Sequence, residues 1–358
     1  MRAAAWRNDV ESARKLIESG ANVNAKDDTQ QSAFLIATSE GYLELLRLTL
    51  EHGAEVNDKD SYNGTGLIRA AERGHGLIVG ALLRAGIDRD HVNRSGYQAI
   101  HEVVWYGKDD AEYATAIRAL AAGGVRLTDR SGSEGLTPLQ MAQHRGLTNS
   151  ERILTMLTGT PLPANPDTAL LEAAAAGDPD RVALALRAGA NIEARDDHQR
   201  TALLLAATFD HVESARLLVA MGADPDSLDD RHDTPWLVTG VTGSVRMLEV
   251  LLPANPDLAI ENRFGGLSVI PASERGHVDY VRRVVQTGID VNHVNDPGWT
   301  ALLEAVVYGD GSAKYQEIVR ILLGAGADKS IKDRNGVTAL EHAQAKGQTQ
   351  IVSILRGS

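Results

Sequence analysis

Several strings in the sequence imitate reactive constellations, and each lacks a part. HEVVW at 101–105 opens like a zinc-protease helix, but Trp105 stands where the second histidine must be, so no two-imidazole chelate forms. Ser12 and Lys15 have the spacing of a serine–lysine pair without any companion motif, on a stretch that reads as an outer helix. DKDSYNG at 58–64 resembles a calcium loop, but Tyr62 occupies an oxygen-ligand place and the glycine is one residue out of register. NGT (63–65) and NRS (93–95) are glycosylation sequons, relevant only in a eukaryotic secretory pathway. Cysteine is absent, which excludes disulfides, thiolate metal sites and thiol nucleophiles. What is left for an enzyme or small-ligand site is His101, Glu102 and Glu304 in a concave groove, and no complete catalytic set exists among them. Five acids, Asp224, Asp226, Asp229, Asp230 and Asp233, crowd one connecting stretch. They read as a solvated turn or as a patch that steers a basic partner or a loosely held cation. No cofactor and no defined metal site is expected.

The elements that position these residues follow from a repeat. NGTGLIRAAERGH (63–75), RTALLLAATFDH (200–211) and WTALLEAVVYG (299–309) share one Ala-rich apolar pattern. Their anchors belong to the series Ser32, Thr65, Gln98, Thr137, Thr168, Thr201, Thr234, Leu267, Thr300 and Thr338, spaced by 33, 33, 39, 31, 33, 33, 33, 33 and 38 residues. So constant a period means stacked supersecondary units. Five residues before most anchors stands Asp or Asn (Asp27, Asp60, Asn93, Asp196, Asp229, Asn262, Asn295, Asp333), suited to a tight turn closed by its own side chain. The anchor Thr is placed to cap a helix, with Pro or Ala following at the first helical position. The short inner helix ends near a Gly such as Gly41, Gly146 or Gly347, and a second helix carries an apolar stripe. At Leu267, Ser268 is read as the substitute N-cap, which places Pro271 in the first turn. His75, His211 and His277 share the position after the helix end and are read as structural hydrogen-bonders.

Stretches such as TALLLAATFDHVESARLLVAMGAD (201–224) and GLTPLQMAQHRG (135–146) resemble ankyrin repeats, over essentially the whole chain and in eleven units. The resemblance implies an all-α solenoid of helix–turn–helix units with hairpin-like connecting turns, and a non-catalytic role in protein–protein interaction. It also implies that partners meet the hairpin tips and the exposed ends of the inner helices. Counting each unit from its Asp or Asn as position one, these are positions 3, 5, 13 and 14. Nine of the 15 aromatics fall there: Trp6, Tyr62, Tyr97, Trp105, Tyr106, Phe209, Phe264, Trp299 and Tyr308. Exposing such rings needs a reason, and Trp and Tyr are enriched at binding hot spots. The alternative is that they pack on the neighbouring unit's hairpin. Tyr97, Trp105 and Tyr106 are expected to form one concave-side patch, with Trp299 and Tyr308 as its weaker duplicate. Phe34 and Trp236 fall at a buried inner-helix position and are expected in the core.

Above the repeat lies a duplication. Residues 62–124 match 264–326 at a constant offset of 202, with 25 of 63 positions identical. The chain thus reads as a five-unit block at 1–162 and a six-unit block at 163–358, expected to form one continuous solenoid despite three prolines in LTGTPLPANPD (157–167). Both blocks carry five extra residues between helices, at 108–113 and 310–315, either a tolerated loop or a rim that touches a partner.

Composition bounds the partners. The 358 residues carry 36 basic and 48 acidic side chains, a net charge of −12, which is unsuited to nucleic acid. No run approaches the roughly 18 apolar residues of a membrane span, so membrane insertion is not expected. The expected partners are proteins. Met1 aligns with Leu170, already inside an inner helix, so the first unit lacks its turn and cap. The chain therefore either starts raggedly in the cytoplasm or has lost a leader and is exported.

Overall fold

The computed structural model describes residues 1–357. At the head of each repeat an Asp or Asn side chain closes a turn. Asp60 Oδ1 accepts from the N–H groups of Tyr62 and Gly64, both at 2.8 Å, while its own N–H donates to the Gly64 carbonyl at 3.0 Å. Asp27, Asp196, Asp229, Asn262 and Asp333 make the same pair of side-chain bonds. Asn93 and Asn295 keep the bond to the fourth residue on, Tyr97 or Trp299, and send their amide nitrogen elsewhere.

Each turn delivers an extended residue at the start of an inner helix. Ser32, Thr137, Thr201, Thr234, Thr300 and Thr338 accept there from the backbone N–H three residues on. Gln98 is held differently: its N–H donates to His101 Nδ1 at 3.1 Å. Ser268 does precede its helix, with Pro271 in the first turn, but its backbone is helical and its hydroxyl makes no cap bond. Thr168 is not an N-cap, because Pro166 starts that helix two residues earlier.

The inner helices are α1 (Arg2–Trp6), α3 (Ala33–Glu40), α5 (Gly66–Glu72), α7 (Ala99–Trp105), α9 (Pro138–Arg145), α11 (Pro166–Ala176), α13 (Ala202–Thr208), α15 (Pro235–Thr242), α17 (Val269–Arg275), α19 (Ala301–Val307) and α21 (Ala339–Ala345). The outer helices are α2 (Val10–Glu18), α4 (Leu43–Glu51), α6 (Gly76–Arg84), α8 (Ala111–Ala122), α10 (Thr148–Gly159), α12 (Pro179–Arg187), α14 (Val212–Ala220), α16 (Val245–Leu251), α18 (Val278–Val284), α20 (Ala313–Gly324) and α22 (Thr349–Gly357). Phe34 and Trp236 are both fully buried in the core, as their position in the repeat requires.

Two compact units result, residues 1–194 with 216–223, and residues 195–215 with 224 onward. In the first, α1, α3, α5, α7 and α9 stack in order, backed by α2, α4, α6, α8 and α10. In the second, α13, α15, α17, α19 and α21 form the inner row, and α16, α18, α20 and α22 the outer. No repeat buries its apolar side alone, so each row is held by nearest-neighbour interfaces.

These packing units do not follow the sequence blocks, since residues 163–194 lie in the first. An even step through 150–170 would set α11 on α9 and α12 on α10. Instead α11 packs on α12, and α12 lies mainly against α8, two repeats back. A charge network fixes it there. Arg118 Nε donates to Asp180 Oδ1 at 2.7 Å, and Arg152 donates to Asp180 Oδ2 at 2.6 Å. Arg187 reaches from α12 to the carbonyls of Ala121 and Val125 at the end of α8.

The inserted residues of the two blocks do not form a free rim. They lengthen the outer helix to 12 residues in α8 and α20, against nine in α6. Each insertion supplies a tyrosine that pins the preceding repeat: Tyr113 Oη donates to the Glu72 carbonyl at 3.2 Å, and Tyr315 Oη to that of Glu274 at 2.9 Å. The rings lie against Gly107 and Gly309, where any Cβ would collide with them. Asp109 goes further, accepting from the N–H groups of Asn149 and Ser150 at the start of α10 in the next repeat.

Asp180 and Arg118 are both almost wholly buried. Asp180→Ala strands the guanidinium and is expected to cost about 3–5 kcal/mol in urea unfolding. Adding Arg118→Met should restore most of it. A loss below about 1 kcal/mol for the single variant would show that this pair does not hold α12 on α8.

Candidate functional site

Six rings stand at least half exposed: Trp6, Tyr62, Tyr106, Phe209, Phe264 and Tyr308. They sit at hairpin tips or at the ends of inner helices, as the repeat numbering requires. Tyr97, expected beside them on the surface, is only 3% exposed. Its ring lies beneath Trp105 and Tyr106, with centroids 6.4 Å away in both cases, and supports them. Trp105 is half-covered because His144 of the next repeat stacks on it at 6.0 Å, with the planes 7° apart. Trp299 and Tyr308 form the matching pair at 5.1 Å, with Trp299 again the more covered. The sequence-predicted clusters therefore exist, each resting on a ring that serves as foundation.

Under these rings runs a second pattern that the sequence reading missed. In four repeats the residue at position one bonds the side chain at position ten. Asp60 pairs with Arg69 and Asp333 with His342. Asn93 instead donates to Glu102 Oε1 at 2.6 Å, and Asn295 to Glu304 Oε1 at 3.0 Å. A carboxylate at the head thus meets a cationic or imidazole partner, and an amide meets a carboxyl. This complementarity is visible in the sequence once positions one and ten are compared.

Burial pushes the Glu102 carboxyl up to about 7, with the Glu72 charge adding to the effect. Burial and Glu274 do the same to Glu304, also to about 7, against the Asn295 hydrogen bond. Both lie on the inner-helix face close to exposed tyrosines, Tyr106 and Tyr308. In the second unit this face is hollowed into a groove of 730 Å³ that crosses α13, α15, α17 and α19, with Leu204, Val238 and Ile270 along its floor and Glu304 and Tyr308 in its wall.

His101 has a structural job. Its Nδ1 accepts from Gln98 N–H, and its Nε2 faces the Asp129 carbonyl at 3.1 Å, so the ring is a neutral Nε2–H tautomer. Burial holds its pKa low. Both ring nitrogens are thus committed to backbone groups. His75 and His277 likewise bond the carbonyls of Ser39 and Val241 in the preceding repeat. Gly41 and Gly243 end the helices beneath them at φ 77° and 73°, and a Cβ there would strike the imidazoles.

The five aspartates disperse over successive turns. Asp224 holds the Asp226 N–H, Asp226 holds Asp257 N–H, and Asp229 holds those of Arg231 and Asp233. Asp230 faces His198, and Asp233 pairs with Arg263 at 3.2 Å. Among the described residues no three His, Cys, Asp or Glu converge in a way that could hold a metal ion.

A carboxyl whose pKa rises on folding keeps its proton where the unfolded chain has lost it. For Glu304 that contribution is complete below its ordinary value of 4.5 and disappears as pH rises through about 7. Glu304→Gln mimics the protonated form. It is expected to exceed the parent in stability by about 1–3 kcal/mol at pH 8 and to match it near pH 5. Urea unfolding at both pH values checks this, and an equal difference at the two would contradict it.

The family model described as "Ankyrin repeats (3 copies)" matches residues 1–93, 147–229 and 238–333. The ankyrin repeat protein YahD of Escherichia coli (strain K12) is 38% identical over 186 residues, which is 52% of this chain and 92% of YahD. A solved ankyrin repeat domain from Acinetobacter baumannii AYE is 41% identical, with a TM-score of 0.51, over 52% of this chain and 96% of its own. A second solved ankyrin repeat protein is 39% identical, with a TM-score of 0.52, over 53% and 97% of the two chains. With asparagine- or aspartate-headed turns, capped inner helices and these matches along most of its length, the chain belongs to the ankyrin repeat family.

Proposed function

We propose that this chain is a non-catalytic scaffold that binds partner proteins through the rings at its hairpin tips and inner-helix ends. Ankyrin repeats generally mediate protein–protein interaction. The observation that carries the reading further is the placement of aromatics. In a chain with only 4% of them, six are exposed at the positions a partner would meet. Such rings offer large contact area at little side-chain entropy. The net charge of −12 disfavours nucleic acid as the partner. Among the described residues no helix is long and apolar enough to cross a membrane. The dispersed aspartates suit the steering of a basic partner better than the capture of a cation.

A photo-crosslinking amino acid at Tyr106 or at Tyr308, expressed in the native host, should trap the same partner reproducibly. Placed at Asp279 on the outer helix α18, it should not. With the partner in hand, Trp105→Ala combined with Tyr106→Ala is expected to weaken binding by about 2 kcal/mol or more while the melting temperature stays within a few degrees. Tyr97→Ala, which removes the foundation ring, should instead cost roughly 3–5 kcal/mol of stability. Undiminished binding by the double variant would remove the aromatic patch from the interface.

A further inference from the structure

Glu304 is the least satisfied charged group on the inner-helix face of the second unit. It is 6% exposed, it lines the groove, and its Oε2 is buried without a hydrogen-bond partner. Glu274 stands beside it in the groove wall and has no ion-pair partner among the described residues. Two carboxylates, one of them starved of donors, are costly to keep together unless something cationic joins them.

The duplication shows what does so in the other copy. At an offset of 202, Glu72 and Glu102 correspond to Glu274 and Glu304, and Tyr62 and Tyr106 to Phe264 and Tyr308. In the first unit the neighbourhood is closed by Arg69, whose Nε donates to Asp60 at 2.5 Å and whose Nη1 donates to Glu72 at 2.9 Å. Its guanidinium also lies 5.6 Å from the Tyr62 ring centre. The residue corresponding to Arg69 is Pro271, and Asn262 replaces Asp60. The second copy has kept both glutamates and lost the Asp60–Arg69 pair, and with it the donor that Glu72 has in the first. Of the arginines that line the groove, Arg200 pairs with Asp196, Arg263 with Asp233, and Arg275 bonds the Val241 carbonyl, while the charge of Arg231 acts on Asp233.

We propose that this corner of the groove receives the guanidinium of an arginine side chain presented by a partner protein, held by Glu274 and Glu304 beside the Tyr308 ring. It rests on the scaffold function proposed above and supplies its chemistry. A planar fork of N–H donors can satisfy two carboxylates at once, which a compact ammonium does less well. With Asn262 presenting an amide where Asp60 presents an oxygen, the incoming group is held by the two glutamates alone.

The test titrates acetyl-Gly-Gly-Arg-Gly-Gly-amide into the isotope-labelled whole chain and follows amide resonances. Saturable shifts are expected at Glu274, Asn295, Glu304 and Tyr308, and none with norleucine in place of the arginine. The lysine peptide should bind at least tenfold more weakly. Glu304→Gln, which mimics the protonated acid and so keeps the fold, should weaken the arginine peptide at least tenfold. Pro271→Arg restores the internal cation and should block it. Equal binding of the lysine or norleucine peptide overturns the assignment, as does undiminished binding by both variants or the absence of shifts at these residues. If the peptide fails while the Tyr106 and Tyr308 crosslinks persist, arginine recognition falls and the scaffold reading stands. Loss of the crosslinks with peptide binding intact gives the reverse.

Discussion

One side-chain oxygen accepting two backbone N–H groups sets the geometry of six of the repeats, headed by Asp27, Asp60, Asp196, Asp229, Asn262 and Asp333. With Asp196 bonded to His198 and Arg200, the turn is closed and the chain leaves it extended, so that Thr201 caps the helix through Leu204 N–H. The start of the inner helix is thereby fixed to the residue. That in turn fixes which side chain lies under the hairpin at position ten and which reaches the helix end at positions 13 and 14. Where Asn93 and Asn295 stand in the place of Asp60, the second atom changes from acceptor to donor, and the group beneath changes from cation to carboxyl. A single heavy-atom difference in the turn is transmitted to the charge of the face.

Between repeats, the exposed carbonyls at the ends of the inner helices are the recurring problem, since nothing within the helix pairs them. In several repeats the next one supplies the donor. His75 serves Ser39, Arg145 serves Val104 and Gly107, and Lys346 with Gln348 serves Val306 and Gly309. A cation near a helix C-terminus also meets the negative end of the dipole. These contacts make the direction of stacking chemically specific, where apolar burial alone would leave it loosely defined.

What could be read from the sequence was what is local. The Asx turns, most caps, the buried Phe34 and Trp236 and the structural histidines His75 and His277 all follow from neighbours a few residues apart. The Tyr97 ring was misplaced because position five alternates between tip and foundation, depending on what packs above it. The roles of Tyr113 and Tyr315 are not local, since their hydrogen bonds span 41 residues and no periodic pattern reveals them. The docking of α12 on α8 was equally invisible, because Arg118 and Asp180 are 62 residues apart and each looks like an ordinary surface charge on its own helix. The missing cation at Pro271 becomes visible only when the two copies are compared in three dimensions.

Arg69 reaches Asp60 from nine residues along the chain and Glu72 from one turn of the same helix, so its local concentration there exceeds anything a separate molecule can offer, on the order of millimolar or more. The first copy is in that sense permanently liganded by its own chain. The chain thus carries two versions of the same acidic corner, one with its own arginine and one with Pro271 in that place. Such a chain is monovalent towards a guanidinium despite its internal symmetry. It would gather partners singly, without the avidity or the crosslinking that two open copies would bring.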